Sequence, residues 1–430
     1  MFYEIPMKNK LTYKVWPEAE KSIPAIDIES NKHICIPMIN DNILIIGKTG
    51  FGKSTLTKKV VNKFLEDEQD QFTVFLDVKD DFREYMRRED KAVCFADNAA
   101  NFNLFRWNLV KEIRQSEDWE SELEAISSML FSDLSADSKN RFWIEAAKSV
   151  FKAYIKTILY CYKNSPSNRQ LIDGLKYMSK KQLINHIAEY KPNSNVLRDY
   201  FGYTPNEPYK EPKRTGDIMA FLNIVSEKIT GPFYSEDGTD TIHDFLDGKY
   251  GKRLFLVYDY SKRASSNIFF RLILYKIIEN RLSQNVDRSK KILLVLDEAP
   301  ALETDFGLMQ AATLARGNNL QIILGTQSLE KLYCIAPELN AEHITNASLA
   351  GFPTIISFSP GDPETINMLQ EIFGNRKKYL VSFGISRYSQ PVSEIKTEPI
   401  VTAEDLSSLG IGECYIKIRN AEPQRVKILL

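Results

Sequence analysis

The sequence has little of what metal centres, disulfide frameworks and membrane spans require. Its 430 residues include only five cysteines and four histidines, and no two cysteines form a C-x-x-C pair. Scattered cysteines of this kind are typical of a reducing compartment and give no pattern for a metal site. No run approaches the roughly 18 to 20 uninterrupted apolar residues of a membrane span, and the N-terminus lacks the basic start and apolar run of a signal peptide. We therefore expect a cytoplasmic protein.

The sequence also lacks an excess of charge of either sign. Lys and Arg total 56 while Asp and Glu total 57, so the formal net charge is −1. No global basic field favours nucleic-acid binding, and any contact with DNA must be local, in a groove or a pore. Hydrophobic residues at 43% with 26% charged residues indicate an ordinary globular protein. The length predicts two or three folding units.

The clearest motif is a loop with the pattern G-x-x-x-x-G-K-S at residues 47–54. It follows the apolar run Ile43 to Ile46 and precedes a helix-like stretch. In this context the loop binds a nucleoside triphosphate, because backbone N–H groups curl around a phosphate. The predicted nucleotide-binding residues are Gly47, Thr49, Gly50, Gly52, Lys53, Ser54 and Thr55. Lys53 would reach the β- and γ-phosphates and the Ser54 hydroxyl would ligate Mg²⁺.

A second motif, at residues 292–298, is an apolar strand that ends in Asp297 and Glu298. By itself this pattern is also that of a strand capped by solvated carboxylates. Paired with the phosphate loop, it indicates that Asp297 holds Mg²⁺ through water and that Glu298 orients and deprotonates the attacking water. A glutamate beside the metal-binding aspartate is associated with hydrolysis more than with kinase chemistry.

Two further polar residues have two possible roles each. Gln327 follows the buried run 321–325 and either senses the γ-phosphate or belongs to a polar turn. Arg316 ends a helix before a Gly-bearing turn. It is either a helix-end charge or an arginine finger for a neighbouring subunit, and its spacing alone favours the first role.

Hydrophobic patterns predict an α/β fold interrupted by a helical segment. Buried strands are expected at 72–77, 254–259, 292–296, 321–325 and 354–358, whereas 111–235 shows long helical patterns and no strong strand. We expect a nucleotide-binding domain in two parts, residues 1–110 and 241–430, with an all-α domain at 111–240 inserted between them. The tail, 413–418 and 426–429, alternates like an edge hairpin.

Several segments together resemble the conjugative type IV coupling proteins, the TraD/TraG-like branch of the FtsK and HerA motor ATPases. They are GKTGFGKST at 47–55, FLDVKDDF at 75–82, RFWIEAA at 141–147, LDEAPAL at 296–302 and LARGNNLQIILGTQS at 314–328. The resemblance runs from about residue 40 to 425. The nucleotide motifs are common to many ATPases, but their order with the 141–147 and 325–328 segments is fairly specific.

The resemblance implies a RecA-like P-loop NTPase domain with a mostly parallel sheet, and an all-α domain inserted in it. It further implies ATP and Mg²⁺ as cofactors and a homohexameric ring that contacts DNA without regard to sequence. The expected partners are a relaxase and the type IV secretion components. By position, Lys53 matches the family's phosphate-binding residue, and Ser54 and Asp297 match its metal-binding residues. Glu298 matches the base, Gln327 the sensor and Arg316 the arginine finger.

One departure from the family leaves the biological setting open. Typical coupling proteins begin with membrane-spanning helices, whereas this sequence reaches its ATPase motif almost at once. Either a partner provides attachment to the inner face of the cell membrane, or the protein serves another DNA transaction. The leading hypothesis is an ATP-driven DNA motor. One alternative is a nucleotide-dependent receptor or assembly platform. Another is a metabolic kinase, but Glu298 and the large helical segment argue against it.

Overall fold

The computed structural model describes most of the chain. The described residues are 2–4, 16, 20–38, 41–66, 71–95, 102–132, 134, 140–204, 215–283, 289–333, 349–382 and 392–429. The chain divides into two compact units, one formed by residues 1–82 with 278–430 and the other by residues 83–277.

Strands and helices alternate along much of the chain. The strands are β1 Phe2–Glu4, β2 Lys21–Asp27, β3 Lys32–Met38, β4 Ile43–Ile46, β5 Gln71–Asp77, β6 Lys91–Cys94, β7 Arg253–Val257, β8 Lys291–Leu296, β9 Leu320–Thr326, β10 Thr354–Ser357, β11 Asn375–Ser382, β12 Val392–Pro399, β13 Glu413–Ile418 and β14 Gln424–Ile428. The helices are α1 Lys53–Leu65, α2 Leu109–Gln115, α3 Trp119–Phe131, α4 Arg141–Cys161, α5 Asn168–Tyr177, α6 Lys180–Ala188, α7 Ser194–Phe201, α8 Thr215–Lys228, α9 Ile242–Leu246, α10 Arg263–Leu282, α11 Leu308–Leu314, α12 Glu330–Tyr333, α13 Pro363–Phe373 and α14 Ala403–Ser407.

The first unit is built on a sheet with a parallel centre. Its strands lie in the order β3-β2-β14-β13-β10-β4-β9-β8-β5. The strands from β10 to β5 run parallel to one another. Every residue of β4 and β5 is buried, as expected for strands covered on both faces. The predicted α/β class with a mostly parallel sheet is confirmed, and the carboxyl ends of β4, β9, β8 and β5 meet at one edge.

The position predicted for the C-terminal hairpin is wrong. Strands β13 and β14 do pair antiparallel, but β13 also pairs with β10 and β14 with β2, so neither is an edge strand. The alternating burial of β13 shows only that one of its faces is covered. Alternation along a strand says nothing about whether both of its edges are paired. A separate three-stranded antiparallel sheet, β1-β11-β12, was not predicted.

The second unit is largely helical. Between residues 111 and 235, the described part of the chain forms α-helices and short 3₁₀ turns and contains no strand. Polar caps explain where several helices begin: Ser167 and Ser179 each form a capping box with the glutamine three residues later. The parallel pair β6–β7 also belongs to this unit. The boundaries predicted at 111 and 240 for an inserted domain stay a prediction.

Long apolar helices of the kind that membranes require are absent from the described residues. None of the helices there combines the length and the hydropathy needed to cross a bilayer.

Candidate active site

The phosphate loop joins the carboxyl end of β4 to the amino end of α1. Gly47, Gly50 and Gly52 all have positive φ, with values of 154°, 88° and 109°. A Cβ at Gly47 would lie 2.7 Å from the Cβ of Phe358, so no side chain fits there. The backbone is held by neighbouring strands, because the Gly47 N–H donates to the carbonyl of Thr326 at 3.2 Å. The loop is therefore a preformed turn that leads into a helix N-terminus, which favours anions.

Lys53 is the first residue of α1 and its side chain is buried. Only 3% of the residue is exposed, and its Nζ lies 3.4 Å from Oε2 of Glu298. Burial lowers the pKa of Lys53, and the negative charges of Glu298 and Asp297 oppose that shift. Ser54 and Thr55 follow on the first helical turn, half-buried and exposed respectively. The structure thus places the predicted loop residues around one helix N-terminus.

Asp297 lies at the end of β8 and is only 1% exposed. Neither carboxylate oxygen accepts a hydrogen bond from any described residue, although Nζ of Lys79 lies 3.5 Å from Oδ2. Burial raises the pKa of Asp297, and the charges of Lys79 and Lys53 oppose the shift. Buried carboxylate oxygens without hydrogen-bond donors suit a cation, because a charge buried in this way is paired or coordinates a metal. Asp297 and Ser54 are the residues that would hold Mg²⁺.

Glu298 lies between the phosphate loop and the end of β9. The residue is 6% exposed, and its carboxylate accepts from two donors of Gln327, the backbone N–H at 3.4 Å and Nε2 at 3.2 Å. With the Lys53 contact, the structure brings Lys53, Glu298 and Gln327 into one cluster. Glu298 is thus a buried carboxylate next to the phosphate loop, the position that a general base for an attacking water would need. The individual catalytic roles stay predictions.

Gly325 sets the spacing between Asp297 and the strand that carries Gln327. A Cβ at Gly325 would lie 2.4 Å from the carbonyl oxygen of Asp297, so any other residue would displace backbone. The ends of β8 and β9 therefore approach each other at the one residue type without a side chain.

Lys79 is a site residue that sequence reasoning missed. It follows β5, which pairs with β8, and this pairing brings its ammonium to Asp297. Asp77 fixes the turn that carries Lys79, because its carboxylate accepts from the N–H groups of Asp81 and Phe82 at 2.9 and 3.0 Å. The stretch 75–82 belongs to the family resemblance, but its spacing alone does not show which strand lies beside β8.

The structure does not bring Arg316 to this cluster. Arg316 lies in a 3₁₀ turn, Ala315–Asn318, before the amino end of β9, whereas Gln327 follows the carboxyl end. Strand β9 has seven residues, and at about 3.3 Å per residue it separates the two by roughly 20 Å. The Arg316 side chain is 75% exposed, with Nε 3.6 Å from Oδ1 of Asp41. In its own chain, Arg316 is therefore outside the nucleotide site.

The phosphate loop follows a buried strand of a parallel sheet, and the acidic pair lies two strands away. Gln327 follows the strand between them. This arrangement defines a RecA-like P-loop NTPase fold. Residues 33–429 match the family described as the type IV secretion-system coupling protein DNA-binding domain. The chain belongs to this family, as its motifs predicted.

Solved structures show the same fold at low sequence identity. The unbound conjugative coupling protein TrwBdeltaN70 is 15% identical with a TM-score of 0.71, and the match covers 96% of this chain and 89% of that one. Plasmid coupling protein TrwB in complex with ADP and Mg²⁺ is 16% identical with a TM-score of 0.70, covering 100% and 94%. VirB4 of Thermoanaerobacter pseudethanolicus is 13% identical with a TM-score of 0.56, covering 96% and 97%. No curated protein matches the chain.

Proposed function

We propose that this protein is an ATP-hydrolysing motor that acts on DNA in conjugative transfer. The observation that carries the proposal is the contact of buried Lys53 and Glu298 with half-buried Gln327 beside the carboxylate of Asp297, at the carboxyl ends of parallel strands. Ligands of open α/β sheets bind at that edge. The similarity to TrwB, whose structures include complexes with ADP and Mg²⁺ and with an ATP analogue, supports nucleotide and magnesium as cofactors.

Each residue has a role that follows from its position. The loop N–H groups and Lys53 would bind the phosphates, and Ser54 and Asp297 would hold Mg²⁺, which when bound would supply positive charge against the phosphates. Glu298 accepts a proton from the attacking water, and its contact with Gln327 links the base to β9. Gln327 then senses whether a γ-phosphate is present.

The proposed substrate is DNA, contacted without regard to sequence. The family description supports DNA binding, and the net charge of −1 restricts the basic contacts to a local surface such as the pore of a hexameric ring. A relaxase and type IV secretion components are the proposed partners, in the cytoplasm at the inner face of the cell membrane.

Arg316 is proposed as an arginine finger that serves the adjacent subunit. It is exposed and lies at the opposite end of β9 from the cluster of its own chain, so a catalytic role for it requires a second copy of the chain. A planar, permanently charged guanidinium suits the charge on transferring phosphoryl oxygens, and such fingers contribute roughly 10³- to 10⁵-fold in rate.

Mixing two inactive variants tests this role. Arg316→Ala should bind ATP normally and hydrolyse it poorly, whereas Lys53→Ala should fail at its own site. In mixed rings the Lys53→Ala subunit lends its Arg316 to a neighbour with an intact loop, so part of the activity should return. If the two variants share rings and the mixture stays inactive, the trans role is wrong.

The motor proposal is tested by DNA-dependent hydrolysis and movement. Wild-type protein should hydrolyse ATP faster with DNA and should displace a protein roadblock from it, while Glu298→Gln should do neither. Hydrolysis that ignores DNA and leaves the roadblock in place would favour the alternative, a receptor or assembly platform. Stimulation by a small phosphate acceptor in the absence of DNA would favour a kinase.

A further inference from the structure

A buried carboxylate at the amino end of β4 contacts two arginines. Asp41 is 4% exposed. Its Oδ2 accepts from Nε of Arg419 at 2.8 Å and lies 2.8 Å from Nη2 of the same guanidinium, while Oδ1 lies 3.6 Å from Nε of Arg316. One negative charge thus holds Arg419 firmly and Arg316 loosely, because only the Arg419 contacts are within hydrogen-bond distance.

The frame around Asp41 is rigid. The adjacent Asn42 donates from Nδ2 to the carbonyls of Ala312 and Gly351 at 2.9 and 2.8 Å, and its Oδ1 accepts from the N–H of Ile322 at 2.9 Å. These bonds tie the start of β4 to β9 and to α11. Asp41 therefore presents its carboxylate from a fixed backbone position.

Arg419 is held in an unusual conformation. It follows β13 with a φ of 51°, a left-handed conformation that is uncommon for a residue other than glycine, asparagine or aspartate. Its Nε and Nη2 edge is used by Asp41, and among the described residues Nη1 has no partner. Since 39% of the side chain is exposed, the guanidinium is anchored on one edge and open on the other.

Arg419 lines a cleft of about 520 Å³. Besides Asp41 and the two arginines, Lys417, Asn420 and Phe352 contribute to its lining. Arg316 and Arg419 face the single carboxylate of Asp41 in this lining, and Lys417 adds a third basic side chain whose Nζ donates to the carbonyl of Ile372. An anion is therefore the ligand that this cleft suits best, and a guanidinium with a free edge matches phosphate oxygens.

We propose that Arg419 is a second catalytic arginine, which acts beside Arg316 on the triphosphate held by an adjacent copy of this chain. The proposal rests on the proposed trans role of Arg316, because the contacts with Asp41 place the two guanidiniums side by side. Asp41 is the positioning residue for both. The fixed arginine supplies a preorganised donor, and the exposed one completes the contact when subunits meet.

Four single variants test the proposal: Arg316→Ala, Arg419→Ala, Arg419→Lys and Arg425→Ala. Arg425 is the matched control, since it lies in the same hairpin, pairs with Glu413 at 2.8 Å and does not line the cleft. The measurements are affinity for a fluorescent non-hydrolysable ATP analogue, kcat in the presence of DNA, and recovery of activity on mixing with Lys53→Ala.

Arg419→Ala should keep its affinity for the analogue and lose about 10²-fold in kcat, the cost of one preorganised donor. Mixing with Lys53→Ala should restore part of the rate, which a merely structural defect would not show. Arg419→Lys should be intermediate, because it keeps the charge without the forked geometry, and Arg425→Ala should match the wild type. Arg419→Ala alone leaves the buried charge of Asp41 without its main partner. The double variant Asp41→Asn/Arg419→Ala removes that charge, so it should fold and still hydrolyse ATP slowly.

Two outcomes separate this inference from the proposed function. If Arg316→Ala is slow while Arg419→Ala and the double variant hydrolyse at the wild-type rate, Arg419 is only a counter-ion and the inference is overturned. If Arg316→Ala itself hydrolyses at the wild-type rate, the trans finger fails and the inference about Arg419 fails with it.

Discussion

Replacing Glu298 with glutamine should separate nucleotide binding from hydrolysis. The two side chains have the same shape, so the perturbation is the loss of one negative charge and of the ability to accept a proton. In the structure Oε2 accepts from both Lys53 and Gln327, at 3.4 and 3.2 Å. An amide oxygen in that position can accept from both, and the amide NH₂ then faces the Gln327 N–H, where one contact of 3.4 Å is lost.

The expected effect on binding is therefore small and the effect on rate is large. A positioned general base contributes roughly 10²- to 10⁴-fold, which corresponds to about 2.7 to 5.4 kcal/mol of barrier. Because Lys53 keeps the nearby charge of Asp297, its ammonium stays at the phosphate loop.

Two assays and one control measure these quantities. A fluorescent ATP analogue reports affinity, and phosphate release in single turnover with DNA reports the chemical step. Glu330→Gln makes the same chemical change at an exposed carboxylate three residues beyond Gln327 and should behave as the wild type. If Glu298→Gln releases phosphate at the wild-type rate, Glu298 is not the base.

Three further predictions follow from the site and the helical unit. Lys53→Ala should weaken nucleotide binding about 10- to 100-fold in equilibrium titrations, the value of a charge-assisted hydrogen bond; unchanged affinity would contradict its phosphate role. Lys79→Gln should lower the Mg²⁺ concentration at half-saturation of ADP binding about 2- to 5-fold, because the part-exposed ammonium of Lys79 no longer competes with Mg²⁺ for Asp297. Lys79→Arg, which keeps the charge, is the control. The hydrogen bond from His243 to the buried carboxylate of Glu112 raises the pKa of His243 above its usual 6.5. The stabilisation that protonated His243 gains from Glu112 should be fully present below pH 6.5 and should be lost as the pH rises through the raised pKa of His243. The midpoint temperature of thermal unfolding should therefore depend less on pH in His243→Gln.

The position of most of the candidate site residues was predictable from sequence because it depends on local patterns. The phosphate loop and the acidic pair each follow a buried apolar run, and parallel strands bring their carboxyl ends to one edge of a sheet. Gln327 was predictable for the same reason. Hydrophobic periodicity does not give the order of strands in a sheet. The contact between Lys79 and Asp297 follows from the pairing of β5 with β8 and was therefore not predictable.

Long-range pairing also explains the remaining differences. The buried position of the C-terminal hairpin depends on partners more than fifty residues away in sequence, β10 and β2. The environment of Arg316 depends on Asp41, 275 residues before it, and on Arg419, 103 residues after it. No local pattern encodes such contacts, whereas helix starts such as Ser167, with its capping box, are set by neighbouring residues.

The contact at Gly325 sets the mutational tolerance of the site. Every other amino acid would put a carbon atom 2.4 Å from the Asp297 carbonyl oxygen, however small the rest of its side chain. In a saturation library selected for hydrolysis, alanine at this position should thus be lost along with the large residues, while exposed Gly317 on the preceding turn, with nothing within 4 Å of a Cβ, should accept substitution. Selection at position 325 would then act on backbone spacing alone, at a residue that has no side chain to take part in the reaction.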